Sequence, residues 1–138
     1  MTFQAVSFNV WAILVCFISN MVIGALWYSP LLFGKVWLRL TGKNQDDISK
    51  EDATKSMILS MIPAGLSIIF LAVILGFTGA SSLVDALIIG TLVSAGFIGM
   101  NHVNLLLFEE RSILLTLVNI GYLVVSFNIG AIILTLWQ

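Results

Sequence analysis

Charge is the first thing this sequence lacks. Of its 138 residues only six are Lys or Arg and seven are Asp or Glu, 9% of the chain, where an ordinary soluble domain has about a quarter. With 59% hydrophobic residues and a mean hydropathy of +1.09, a water-soluble fold of this length is close to excluded. The net charge of -1 leaves no basic surplus for a phosphate backbone, so no nucleic-acid partner is expected. The chain is equally short of metal ligands: one cysteine, Cys16, and one histidine, His102, far apart in sequence. A lone thiol closes no intramolecular disulfide, and one His beside one distant Cys does not make a converging ligand set. Neither a metal nor another cofactor is expected. No nucleophile with an adjacent base and orienting group stands out either, so no catalytic residues are assigned. None of the seven acids falls in the middle of an apolar block, which argues against proton-coupled antiport through a membrane-embedded carboxylate.

The apolar residues themselves fall into four blocks, near 8–28, 57–77, 84–108 and 113–137. Each is long enough to cross a hydrocarbon core of roughly 30 Å at about 1.5 Å per helical residue. The fold class expected is therefore all-α: a four-span transmembrane helix bundle forming one integral membrane domain over 1–138, with the lipid bilayer as its first partner. No basic residue precedes the first block, so it reads as a retained span rather than a signal peptide. Lys35, Arg39, Lys43, Lys50 and Lys55 lie between spans one and two, and Arg111 between spans three and four. The positive-inside rule puts those two connections, the first covering about 29–56, in the cytoplasm and both termini outside it.

Trp27-Tyr28-Ser29-Pro30-Leu31-Leu32-Phe33-Gly34-Lys35-Val36-Trp37 joins aromatics, a Ser-Pro pair and the first cation. Trp27, Tyr28 and Trp37 are expected as interface anchors, since amphipathic rings favour the headgroup level. Ser29 as cap and Pro30 as first residue predict a short amphipathic interfacial helix from Pro30 to about Leu40, stopped by Gly42. Ser49 with Asp52, and Ser82 with Asp85, have capping-box spacing. They predict that the second helix starts near Lys50, in water, and that Asp85 caps the outer start of span three.

Polar side chains inside hydrocarbon are costly and mark where chemistry or packing is concentrated. Asn20, His102 and Asn119 each lie seven residues inside a cytoplasmic boundary, about 10 Å deep, with Asn101, Asn104 and Tyr122 at similar depth. These six residues form the candidate polar pocket. In span three, Gly90, Ser94, Phe97, Asn101, Asn104 and Phe108 recur at steps of four and three, which an unbroken α-helix places on one face. The layer reads either as interhelical hydrogen-bond glue or as a vestibule open to the cytoplasm, with His102 the side chain of the type that changes charge near neutral pH. Pro63 in span two reads either as a kink making room for this layer or as a tolerated bend.

Leu26-Trp27-Tyr28-Ser29-Pro30-Leu31-Leu32-Phe33-Gly34-Lys35-Val36-Trp37, then Leu107-Phe108-Glu109-Glu110-Arg111, then Asn119-Ile120-Gly121-Tyr122 with Gly130-Ala131-Ile132 and Trp137, together resemble the small prokaryotic integral-membrane family catalogued as domain of unknown function 1761. The resemblance covers nearly the whole chain and implies a compact four-span bacterial protein, without implying an activity. In one place the chain departs from the family pattern: Glu110 stands where that pattern tends to have Gly between Glu and Arg.

The function expected is that of a non-enzymatic accessory or interaction subunit of the bacterial cytoplasmic (inner) membrane. The alternative is a small-solute transporter or channel component using the polar layer; an enzyme acting on a lipid or quinone ranks third. Gly24, Gly90, Gly96, Gly99, Gly121 and Gly130 offer more close-packing surface than one small bundle needs, so a homo-oligomer or other membrane-protein partners are expected.

Overall fold

The computed structural model describes residues 9–43 and 48–137. Helix α1 runs Val10–Trp27, α2 Gly34–Thr41, α3 Lys50–Thr78, α4 Leu83–Thr91 and α5 Met100–Phe108, with a π-helical segment Leu92–Gly99 joining α4 to α5, and α6 Ile113–Leu136. The described residues contain no strand. Four continuous helical stretches, Val10–Trp27, Lys50–Thr78, Leu83–Phe108 and Ile113–Leu136, are long and apolar enough to cross a membrane, which makes this a multi-pass membrane protein. Phe8, the expected first residue of span one, lies outside the described residues.

The polar residues that flank these helices fix where they begin. Asn9 accepts from the amides of Trp11 and Ala12, Ser49 from Asp52, and Ser112 from Leu115. Ser82 and Asp85 form a reciprocal capping box, and Asp85 also takes the Ser81 amide at 3.1 Å. This satisfies amides that a helix start leaves without partners and accounts for an acid at the head of an apolar span. Gly42 and Gly79 end α2 and α3 in the left-handed conformation, with φ of 67° and 66°.

Adjacent spans run antiparallel, and α6 packs against α1, α2, α3, α4, the π segment and α5. At the end of the bundle where the chain starts and finishes, small and apolar side chains make a dry core: Ala12, Cys16, Ile68, Leu71, Ala72, Leu75, Ala80, Ala86, Ala131 and Leu134. The opposite end, which carries all the basic residues and is called here the basic end, is built differently. There α3 leaves the bundle, and every residue from Lys50 to Pro63 is exposed. Pro63 marks the change: beyond it Ile68, Leu71, Ala72 and Leu75 are buried in the core.

Two expectations are corrected. Ser29 and Pro30 do not start the short helix. Ser29 O instead accepts from the amides of Leu32 and Gly34 at 3.1 and 2.9 Å, closing a turn that delays α2 to Gly34. The turn needs glycine at its exit, because a Cβ at Gly34 would stand 2.3 Å from the Tyr28 carbonyl oxygen.

The second correction concerns span three. Its buried series runs Ala86, Gly90, Ser94 and then Gly99, two steps of four followed by one of five. The π segment supplies the extra residue, and everything after it is turned by about 100° from the phase of an unbroken α-helix. Phe97, Asn101, Asn104 and Phe108, expected on the face of Gly90 and Ser94, point outward instead. Within this stretch the buried Ser94 hydroxyl donates to Gly90 O at 2.6 Å, competing with the main chain for that carbonyl.

Candidate functional site

Spans one and four bring half of the expected polar layer together. Asn20 Oδ1 accepts from the Tyr122 hydroxyl at 3.1 Å and from the Ser126 hydroxyl, so one amide on α1 ties two side chains on successive turns of α6. One turn nearer the basic end, the Tyr28 hydroxyl donates to Asn119 Oδ1 at 3.0 Å and the Trp27 indole Nε1 donates to Val118 O at 3.0 Å. The rings close over these bonds: Tyr28 and Tyr122 lie 5.5 Å apart, Trp27 and Tyr122 6.5 Å, and Trp27 and Phe33 4.8 Å. Two glycines set the close approach. Tyr122 covers Gly24, and the Trp27 ring lies where a Cβ on Gly121 would come within 3.0 Å.

Trp27 and Tyr28, expected as interface anchors, serve as interhelical donors. Trp37 packs on Tyr28 with ring centroids 6.0 Å apart, and the Lys43 ammonium sits 5.6 Å from the centre of the Trp37 ring. This ties α2 to the end of α1. Ser126, absent from the expected layer, is a partner of Asn20; its spacing of four from Tyr122, which puts both on one face of α6, is the signal that could have found it.

The span-three members of the layer are not part of this cluster. Asn101 and Asn104 are exposed on the outside of α5. His102 is half-buried, with Nδ1 3.1 Å from Ile98 O one turn back in its own helix; that bond requires the proton on Nδ1. The phase change at the π segment separates them from Asn20, Asn119 and Tyr122.

The room left beside Asn20 is small. A cavity of about 20 Å³ lies among Cys16, Asn20, Ser67, Ile68, Leu71, Ser126, Phe127 and Gly130, which is space for a single water beside Asn20 and the two serines. Among the described residues no three His, Cys, Asp or Glu side chains converge. Of the glycines expected to serve assembly, Gly24, Gly90, Gly99, Gly121 and Gly130 all meet atoms of this same chain, Tyr122, Asn128, Ile120, Trp27 and Cys16 among them. Only Gly96 of that set faces open space.

No curated protein and no solved structure matches the chain. The family described as Protein of unknown function (DUF1761) matches residues 11–135. That span holds the turn at Gly34, the Asn20–Tyr122–Ser126 tie and the span-three π segment alike, and the chain belongs to this family.

Proposed function

We propose that the chain is a non-enzymatic accessory or interaction subunit of a bacterial cytoplasmic membrane, inserted with both termini outside and the basic end in the cytoplasm. The observation that carries the reading is the pairing between the first and last spans: Asn20 Oδ1 accepts from the Tyr122 and Ser126 hydroxyls, and Asn119 Oδ1 from the Tyr28 hydroxyl. The cavity beside Asn20 and Ser126 has room for one water, and the wider cleft of about 390 Å³ lies at Tyr28, Trp37, Lys50 and Ala53, away from Asn20. Side chains so paired hold helices together, and membrane helices use Asn, Ser and Tyr for that purpose. The orientation is supported by the basic residues, all of which belong to the end where α1 and α5 finish.

The test reconstitutes the full chain into sealed liposomes and follows ion and small-solute flux, alongside capture of bound proteins from native membranes. Flux no greater than in empty liposomes, with specific proteins (a second copy included) retained, is the expected result. Flux that Asn20→Leu or Asn119→Leu abolishes without unfolding the protein would make the layer a solute path and overturn the reading. Reporter fusions at each terminus test the orientation: a reporter active only in the cytoplasm must be silent at both ends.

A further inference from the structure

We propose that α5 is the contact surface for a second copy of this chain, with Asn101 and Asn104 paired across a two-fold axis. The proposal deepens the interaction-subunit reading and rests on it, by naming the partner. It begins from the phase change at the π segment. Phe97, Met100, Asn101, Asn104, Leu107 and Phe108 follow steps of three and four and form one outward stripe, with Phe97 74%, Met100 56%, Leu107 69% and Phe108 87% exposed. This spacing is that of a helix seam packed at a shallow crossing angle.

Lipid cannot finish this face. Asn101 lies eight residues before Glu109, about 12 Å below the boundary, and Asn104 about 7 Å. Each amide has two N–H donors and an acceptor that acyl chains leave without partners. Ser60, exposed on α3, by contrast donates to Met57 O within its own helix.

Symmetry makes a second copy a fitting occupant. Two chains inserted in the same orientation are related by rotation about the membrane normal, so a residue meets its partner's residues at its own depth. An amide is self-complementary, since its oxygen accepts what the same group on the other copy donates. Asn101 facing Asn101 and Asn104 facing Asn104 therefore answer each other. The stripe carries no charge, so the two faces do not repel.

The experiment uses the full chain in native membranes, in a Cys16→Ala background. Met100→Cys and Leu107→Cys on the stripe are compared under mild oxidation with Val22→Cys, exposed in the same half of α1. Disulfide-linked dimers from both stripe positions, well above Val22→Cys, are expected. In liposomes at graded dilution, Asn101→Leu with Asn104→Leu should weaken dimerisation by roughly tenfold, about threefold for each amide pair. Asn101→Gln should retain most of it, and unfolding of the separated monomers should not change. Stripe cysteines that link no better than Val22→Cys, or a double-Leu variant as dimeric as the parent, overturns the proposal. If photocrosslinkers at the stripe then capture a different membrane protein, the second copy is ruled out while the interaction-subunit reading stands. Capture of no protein by the stripe or any other face sinks both.

Discussion

Tyr28 and Asn119, 91 positions apart in sequence, share a 3.0 Å hydrogen bond that fixes the end of the first span to the second turn of the last. Tyr28→Phe removes that bond and keeps the ring on Trp37 and Tyr122. In a cycle of Tyr28→Phe, Asn119→Ala and the double variant, unfolding in detergent should give a coupling of about 1 kcal/mol. A coupling near zero would mean that the rings alone set the register.

Asn20 and Asn101 have the same side chain and opposite surroundings. Asn20→Leu strips two α6 hydroxyls, those of Tyr122 and Ser126, of their acceptor, and should cost about 2–3 kcal/mol. Asn101→Leu, on the outside of α5, should change monomer stability by no more than about 0.5 kcal/mol. Both are read by unfolding at dilution where copies are separate.

Glycine substitutions separate required from incidental positions. Gly34→Ala sets a methyl 2.3 Å from the Tyr28 oxygen and 2.7 Å from Ser29 main-chain atoms, with only backbone available to move. It should destabilise the fold by about 3 kcal/mol or more and shift Trp fluorescence as the Trp27–Phe33 contact opens. At Gly96 nothing lies within 4 Å of an added Cβ, and Gly96→Ala should be neutral or stabilise by up to about 1 kcal/mol.

The step of five from Ser94 to Gly99 gives an unusual expectation for deletions. Removing Gly96 leaves a step of four, the normal spacing of an α-helix, so α5 keeps its outward face and the protein should fold. Removing Leu123 from the regular α6 turns Ser126, Gly130, Ala131 and Leu134 out of their places by about 100° and should abolish folding. Expression, monodispersity and labelling of Leu107→Cys distinguish the two; a Gly96 deletion as damaging as the Leu123 deletion would refute the account of the segment.

Glu110 has φ of 51°, the left-handed region where a side chain costs about 1 kcal/mol and glycine costs little. The Glu109–Arg111 salt bridge at 2.6 Å spans this turn. Glu110→Gly should raise stability by about 0.5–1 kcal/mol, measured by thermal unfolding.

The span count, the caps at Ser49 and Ser82, and the C-terminal stop at Gly42 were legible in the sequence because each rests on local chemistry: a long apolar run, a hydroxyl three residues before an acid, a glycine past a helix end. The link between Asn20 and Tyr122 was legible as a shared depth. What was not legible depended on phase or on distant backbone. A stripe drawn with about 3.6 residues per turn fails below Ser94 because one residue is absorbed into wider turns, and no composition signal at Leu92–Gly99 announces it. Ser-Pro reads as a helix start by preference, yet the close pass of Gly34 over Tyr28 O lets the chain turn first. The aromatic run pointed to the interface and concealed that Trp27 and Tyr28 would find acceptors on α6.

The helix on which the others rest follows all of them in the chain. As synthesis proceeds, α1, α3 and α4 enter the bilayer with only the α1–α3 packing and a small α3–α4 contact available, because the remaining major surfaces are faces of α6. Until α6 arrives, Asn20 and Tyr28 have neither Tyr122 nor Asn119, and Gly90 has no Asn128 to lie against. The first three spans therefore reach their packed arrangement only when α6 has followed them into the bilayer, so a change that misplaces α6 disturbs the whole bundle at once.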